Sequence, residues 1–324
     1  MAHPTRGLAG SPGGEDAVVG RIAGVFGAAS GTPPEGDVWI GDDAAVVGSP
    51  HGRLLLATDA AVEGVHADLS LVGLDDLGWK ALSATLSDIG AMGGRPCHAL
   101  VTFCVPPGTD LALLAAGVAE AAARWDCPVV GGDVTGSVQV VVSVAATGVL
   151  DGPAPPVLRS GASEGHAVFV TGPLGASAAG LRRLRTGAAR PGSPTVRDAL
   201  VEAHRRPEAR VAEGICARAA GASAMMDVSD GLGIDLHRMA DASGVGVTLE
   251  RVPVADGATE DEAISGGEDY ELLIATPDAL GLVQSFAAAG LRRPIEIGRC
   301  TGARGGIMLR GRPLARAGYE HALG

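Results

Sequence analysis

Three prolines within four positions, Pro153, Pro155 and Pro156, divide this chain, because proline fixes φ, removes an N–H donor and resists both helix interiors and central strands. The divide spans Asp151–Ser160. Upstream, the hydrophobic pattern predicts a helix at Ala17–Ala29 and short strands at Val38–Ile40, Ala44–Val47 and Leu54–Ala57. A helix over Asp76–Met92, a strand at His98–Val105, an Ala-rich helix over Leu111–Arg124 and a β-branched strand at Val138–Val149 complete that unit. Downstream, strands are expected at Ala167–Thr171, Ala224–Asp227, Val245–Glu250 and Tyr270–Ala275, and helices at Ala176–Leu184, Ala209–Ala220 and Leu232–Ala242. Neither unit keeps the β-α-β regularity of a barrel, so the expected fold class is α+β with two domains, 16–150 and 151–324. Residues 1–15 read as a disordered tail without the apolar stretch of a signal peptide, and Arg185–Thr195 as a polar loop.

Composition removes several function classes. The 324 residues carry 25 basic against 37 acidic side chains, a net charge of −12, which argues against a surface that coats nucleic acid or anionic lipid. No apolar run approaches the ~18 residues of a membrane span. All but one of the basic residues are arginine. The single lysine, Lys80, lies in Gly78-Trp79-Lys80-Ala81, so no GxxxxGK[ST] phosphate loop exists. Five cysteines with no CxxC pair fit neither a disulfide framework nor a zinc cluster, and point to a reducing cytoplasm.

Acidic residues gather where strands meet turns: Gly41-Asp42-Asp43, Thr58-Asp59, Ser87-Asp88, Gly131-Gly132-Asp133, Asp227-Val228-Ser229-Asp230 and Gly266-Gly267-Glu268-Asp269. The stripe of Leu82, Leu86 and Ile89 leaves Asp88 on another face of its helix. Short carboxylates beside tight turns suit Mg²⁺, a hard cation that takes oxygen ligands and shares them with substrate phosphate. Two carboxylates about 4 Å apart repel by roughly 4 kcal/mol at an effective dielectric of 20, so convergence demands cations or shifted pKa values. Each pattern has a simpler reading as well: aspartate is common in turns and at helix starts, and Asp230 before Gly231-Leu232 reads equally as a helix cap. The strand-turn-helix segment Thr171–Gly180 offers backbone N–H groups to an anion, or serves packing alone.

The strings GDDAAV, TDAAVEGVH, WKALSATLSDIGAMGG, VVGGDVT, VTGPLGASAAGL, DVSDGLGIDL and GGEDYELL occur in this order. Together they resemble the thiamine-monophosphate kinases of the aminoimidazole-ribotide-synthetase-like superfamily, from about Glu15 to the C-terminus. The resemblance implies a two-domain fold whose N-terminal mixed domain binds ATP and metal and forms a dimer sheet, and whose C-terminal α+β domain completes the site. It implies ATP-dependent phosphorylation of thiamine monophosphate to thiamine diphosphate on a cytoplasmic homodimer, with several Mg²⁺ ions and no general base. Metal positions then fall on Asp43, Thr58, Asp59, Asp88, Asp133, Asp227 and Asp230. ATP contacts fall on Gly132, Asp133, Arg159 and Ser229, and thiamine-phosphate contacts on His66, Glu268 and Tyr319. Ala57, Val134 and His166 depart from the family pattern. Two alternatives stay open: a synthetase resembling selenophosphate synthetase, although no cysteine precedes Cys97, and a nucleotide-binding protein without catalysis.

Overall fold

The computed structural model describes residues 15–32, 34–35, 37, 53–187 and 198–320; Asp43, the strands expected at Val38–Ile40 and Ala44–Val47, and the Arg185–Thr195 loop beyond Gly187 lie outside them. The first unit runs α1 (Glu15–Ser30), β1 (Leu54–Val62), α2 (Leu74–Ala91), β2 (Arg95–Val105), α3 (Leu111–Arg124), β3 (Val129–Gly136) and β4 (Val141–Val149). Its four strands order as β1-β4-β2-β3, antiparallel except for the β2–β3 pair. By sequence, Gly131-Gly132-Asp133 falls where a strand meets a turn, and no strand is assigned to Val129–Gly136. That segment is instead an edge strand, where paired residues on one side only tolerate such a composition, and Val138, expected in the next strand, is exposed in the connecting turn.

The second unit runs β5 (Ala167–Val170), α4 (Ala176–Arg185), α5 (Ala199–Arg205), α6 (Val211–Ala219), β6 (Ala224–Asp227), α7 (Leu232–Ser243), β7 (Val245–Leu249) and α8 (Glu260–Ser265). It closes with β8 (Leu272–Thr276), α9 (Ala279–Ala288), β9 (Ile295–Gly302), β10 (Ile307–Leu309) and β11 (Arg312–Pro313). Seven strands order as β11-β10-β7-β9-β5-β8-β6, mostly antiparallel. The chain is therefore a two-sheet α+β protein.

Helix α2 is the element both units share. Asp75 and Asp76 favour its N-terminus, and the Asp76 carboxylate accepts the Gly73 N–H at 3.1 Å. Its Leu77, Leu82 and Leu86 are fully buried in a core with Phe103, Val118 and Val142, and that core also takes Val201, Ala209 and Val211 from the second unit. Another core joins Ala91 to Phe169, Leu272 and Phe286. Trp79 Nε1–H and Ser83 Oγ–H both donate to the Pro207 carbonyl, at 2.9 and 2.7 Å. Where α2 crosses α6, a Cβ on Gly214 would lie 1.9 Å from the Gly90 carbonyl oxygen, so glycine is what lets the two backbones touch. The other face of the four-stranded sheet is open, with Leu56 74 % exposed and Leu54 and Leu100 both 46 %.

Candidate functional site

A cavity of about 600 Å³ opens between β1 and α2 on one side and the β6–α7 turn, the 265–270 loop and α4 on the other. Strand alternation and helix pitch deliver its first wall. On β1, neighbouring side chains point to opposite faces, so Asp59 turns toward α2 and is hydrogen-bonded to Thr85, while Thr58 faces away and donates to the Val144 carbonyl. Asp88 projects from α2, and Asp227 ends β6, where it accepts a hydrogen bond from Ser87 Oγ at 2.7 Å. Burial pushes the Asp59 carboxyl up. It pushes Asp88 up to about 6, helped by the charge of Asp59, and Asp227 to about 7, helped by that of Asp88. Three desolvated carboxylates thus crowd one wall. Among the described residues no three such side chains close tightly enough to encage an ion by themselves. This all-oxygen donor set fits Mg²⁺ in its usual mode, held by one or two carboxylates and completed by phosphate oxygens.

The β6–α7 turn adds Ser229 and Asp230 to the lining. Asp230 does not cap α7. The N-cap is Gly231, at φ +123°, and Asp235 folds back from the first turn to accept the N–H groups of Asp230 and Gly231 at 3.0 and 3.1 Å. The Asp230 carboxylate pairs instead with Arg238 at 2.5 Å, and Arg238 also holds Asp235 at 2.7 Å.

The opposite wall is the loop Gly266–Glu271. Glu268 and Tyr270 adopt φ of +66° and +50°, a left-handed conformation that costs an L residue roughly 1–2 kcal/mol. Neighbouring contacts hold them there: Glu268 N–H donates to the Ser229 carbonyl at 2.7 Å and Tyr270 N–H to the Val228 carbonyl at 2.9 Å. Asp269 accepts the backbone N–H groups of Gly175 and Ser177 at the start of α4, at 2.5 and 3.1 Å. That helix start, a candidate anion site in the sequence, therefore already holds a carboxylate of this chain, from a segment too distant in sequence for local pattern to connect. Burial raises the Asp269 carboxyl to about 7 against those two donors. Glu271 is buried between Arg210, Arg292 and Thr171.

Between the walls, His66 Nδ1 accepts the Val62 N–H at 3.1 Å, which fixes the tautomer that carries its proton on Nε2. Lys80, buried, reaches Glu268 at 2.8 Å and the His66 carbonyl at 3.1 Å. His204 lies beside them, held neutral by burial and by the nearby charge of Lys80, its pKa lowered to about 3. Tyr319 lines the rim, its N–H bonded to the Asp230 carbonyl at 2.9 Å.

The cavity thus collects Asp59, Asp88, Asp227, Ser229 and Asp230 with His66, Glu268 and Tyr319. Other expected site residues lie elsewhere. Arg159 is exposed outside the lining, although its charge reaches Asp88 and Asp227. Asp133 lies on β3, at the sheet edge opposite β1, on the open face shared with Thr58. Gly132 beside it has a packing reason of its own, since a Cβ there would sit 1.9 Å from the Val101 carbonyl oxygen. Sequence reasoning did not single out Lys80, His204 or Tyr270 as lining residues. For Lys80 a signal existed: the single lysine of an arginine-rich chain, placed inside an apolar helix.

Comparison with known proteins matches residues 41–150 to the family described as AIR synthase related protein, N-terminal domain, and residues 163–310 to its C-terminal domain. A thiamine-monophosphate kinase of Mycobacterium tuberculosis is 39 % identical, over 72 % of this chain and 73 % of that protein. The crystal structure of thiamine-monophosphate kinase from Stenotrophomonas maltophilia K279a superimposes with a TM-score of 0.80 at 30 % identity, over 90 % of this chain and 96 % of that one. A structure described as AaThiL complexed with AMPPCP and TMP matches with a TM-score of 0.73 at 30 % identity, over 98 % of this chain and all (100 %) of that one.

Proposed function

The chain belongs to the thiamine-monophosphate kinases of the AIR synthase related family, and from that premise we propose that its cavity transfers the γ-phosphoryl group of ATP directly to thiamine monophosphate, giving thiamine diphosphate. The observation that carries this reading is the wall of Asp59, Asp88 and Asp227, two half-buried carboxylates and one buried one, all raised above their ordinary range and, among the described residues, in an ion pair with no cation, only the more distant charges of His66 and Arg159 acting on them. The acceptor is a phosphate already ionised near neutral pH, so no side chain has to remove a proton from it, and positioning and charge neutralisation carry the reaction.

Asp59, Asp88 and Asp227 would hold Mg²⁺, with Asp230 released from Arg238 as a further ligand. A metal held there would supply positive charge that offsets the repulsion between donor and acceptor phosphates. The chain's own groups do the rest. His66 offers Nε2–H to the acceptor, Glu268 and Tyr319 bound the opposite end, and Ser229 contacts the nucleotide, with Arg159 near enough to act on it by charge.

The same reading includes a homodimer. Asp133 and Gly132 lie three strand spacings from β1, roughly 14 Å, so one chain cannot bring them to Asp59. Two open sheet faces laid together about a two-fold axis parallel to the strands put β3 of one over β1 of the other, which brings Asp133 to the face of β1 that carries Thr58, behind Asp59, and covers Leu56 and Leu100 in the same step. Asp43 stands with this group as an expected ligand outside the described residues. A cytoplasmic location is part of the proposal, supported by five cysteines that are all free. No helix among the described residues is long and apolar enough to cross a membrane, and the net charge of −12 disfavours nucleic acid as a partner.

The test is purified protein with ATP, Mg²⁺ and thiamine monophosphate, assayed for thiamine diphosphate, with free thiamine and selenide as parallel acceptors. Product from thiamine monophosphate alone is the expected result. Product from selenide would favour the selenophosphate-synthetase-like alternative, and nucleotide binding without any product would overturn the catalytic reading.

A further inference from the structure

Resting on the kinase reading, we propose that Lys80 is a positioning residue for the phosphate acceptor: its buried ammonium ties His66 to Glu268, the two acceptor contacts that come from different units of the fold. Lys80 lines the cavity with only 3 % of its side chain exposed, and its ammonium is already engaged by this chain. Both of its hydrogen bonds go to those two residues, at 3.1 Å to the His66 carbonyl and 2.8 Å to Glu268 Oε2. The neighbouring His204 comes no nearer than 3.6 Å to the same oxygen and is neutral, so Lys80 is the carboxylate's only ion-pair cation among the described residues.

Geometry makes this pairing directional. The ammonium stands on α2, the helix fixed at Pro207 by Trp79 and Ser83, and so it is the rigid partner. Glu268 stands in a left-handed backbone conformation on a loop, and its contacts with Lys80 and His204 both fall on Oε2, not Oε1. One oxygen is thus anchored and the other left for the acceptor. A lone carboxylate here would swing, and would present a full negative charge to an anionic substrate in a cavity that already holds Asp59, Asp88, Asp227 and Asp230.

The experiment is a double-mutant cycle on the full chain, with kcat, both KM values and Tm measured. Lys80→Met keeps the stem and removes the charge, and is expected to raise the acceptor KM about tenfold while leaving the ATP KM within about twofold. Lys80→Arg, which keeps the charge, is expected to recover most of that loss. In a Glu268→Ala background, Lys80→Met should cost clearly less than it does alone, because only the tie to the His66 carbonyl is then left to lose. If Lys80→Met alone fails to fold, the double variant, which buries no unpaired charge, is compared directly with Glu268→Ala. Equal increases in both KM values, or a full Lys80→Met effect without Glu268, would overturn the proposal as a merely structural role. Failure of the kinase reading shows differently, as wild-type protein that makes no thiamine diphosphate. The same variants are then compared by calorimetric binding of thiamine monophosphate, and a wild type that binds none overturns this proposal too.

Discussion

The cavity has two acidic walls built on opposite principles. On the loop side every carboxylate is answered: Glu268 by Lys80, Asp269 by the N–H groups that open α4, Glu271 by Arg210 and Arg292. On the β1–α2–β6 side, Asp59, Asp88 and Asp227 have, among the described residues, hydroxyl hydrogen bonds at most and only the more distant charges of His66 and Arg159, and each carboxyl is pushed up. Both walls are desolvated, so burial alone does not separate them. What separates them is counter-charge, and on the proposed reading a chain that neutralises one set itself while leaving another to repel reserves the second for charge brought by a ligand.

The largest effect that tests this contrast is at Asp88. Asp88→Asn should lower kcat on the order of a thousandfold, because it removes charge that holds the reacting phosphates together. It should also raise the Tm of the ligand-free protein, because it relieves repulsion from Asp59 and Asp227. Steady-state kinetics and a thermal melt on one sample decide it: near-normal turnover with a lowered Tm would reverse the assignment of the wall. The loop wall should respond the other way. Glu271→Gln leaves two guanidinium groups without their carboxylate and should cost about 3 kcal/mol in denaturant unfolding. Gain of stability there would mean that the ion pairs are not what holds the loop.

A third comparison uses pH. With folded-state values of about 6 for Asp88 and about 7 for Asp227, above an unfolded value of 3.8, the folded protein keeps protons that the unfolded chain has released. Stability of the ligand-free protein from these groups therefore falls as pH rises from about 4 to about 7, and levels off above that. A divalent cation needs the ionised form, so the increase in Tm on adding Mg²⁺ should be small at pH 5.5 and larger at pH 8. A Tm gain independent of pH would show that the ion binds elsewhere.

How much of this the sequence carried depends on whether a feature is local. Helix α3 and strand β6 were legible to the residue, α3 by its apolar helical pattern and β6 as a short apolar run closed by Asp227. The acidic residues of the reserved wall were legible as candidates, because each sits in a short Asp-bearing motif. Glu268 and Asp269 of the loop wall were legible as candidates in the same way, but the partners that answer them were not. Asp269 at the start of α4 is 94 residues from Gly175, Lys80 is 188 residues from Glu268, and Glu271 is 61 from Arg210, and a single sequence has no term for such pairings. Strand β3 was missed for a related reason: its glycines look like a turn until the close approach of Val101 is known.

Asp230 stands between the two classes, and gives the smallest and most discriminating effect. It lines the cavity beside Asp227, yet like the loop carboxylates it has a cation, Arg238 at 2.5 Å, which it shares with fully buried Asp235. A partly exposed pair of this kind contributes no more than about 1 kcal/mol to stability. If Asp230 belongs to the reserved wall, Arg238 competes with the incoming ion, and Arg238→Gln should tighten Mg²⁺ binding about threefold, near 0.7 kcal/mol, with a small loss of Tm. Calorimetric titration of the ligand-free protein with Mg²⁺ reads the first and a melt the second. Unchanged affinity with the same Tm loss would assign Asp230 to structure, and the reserved wall would then end at Asp227.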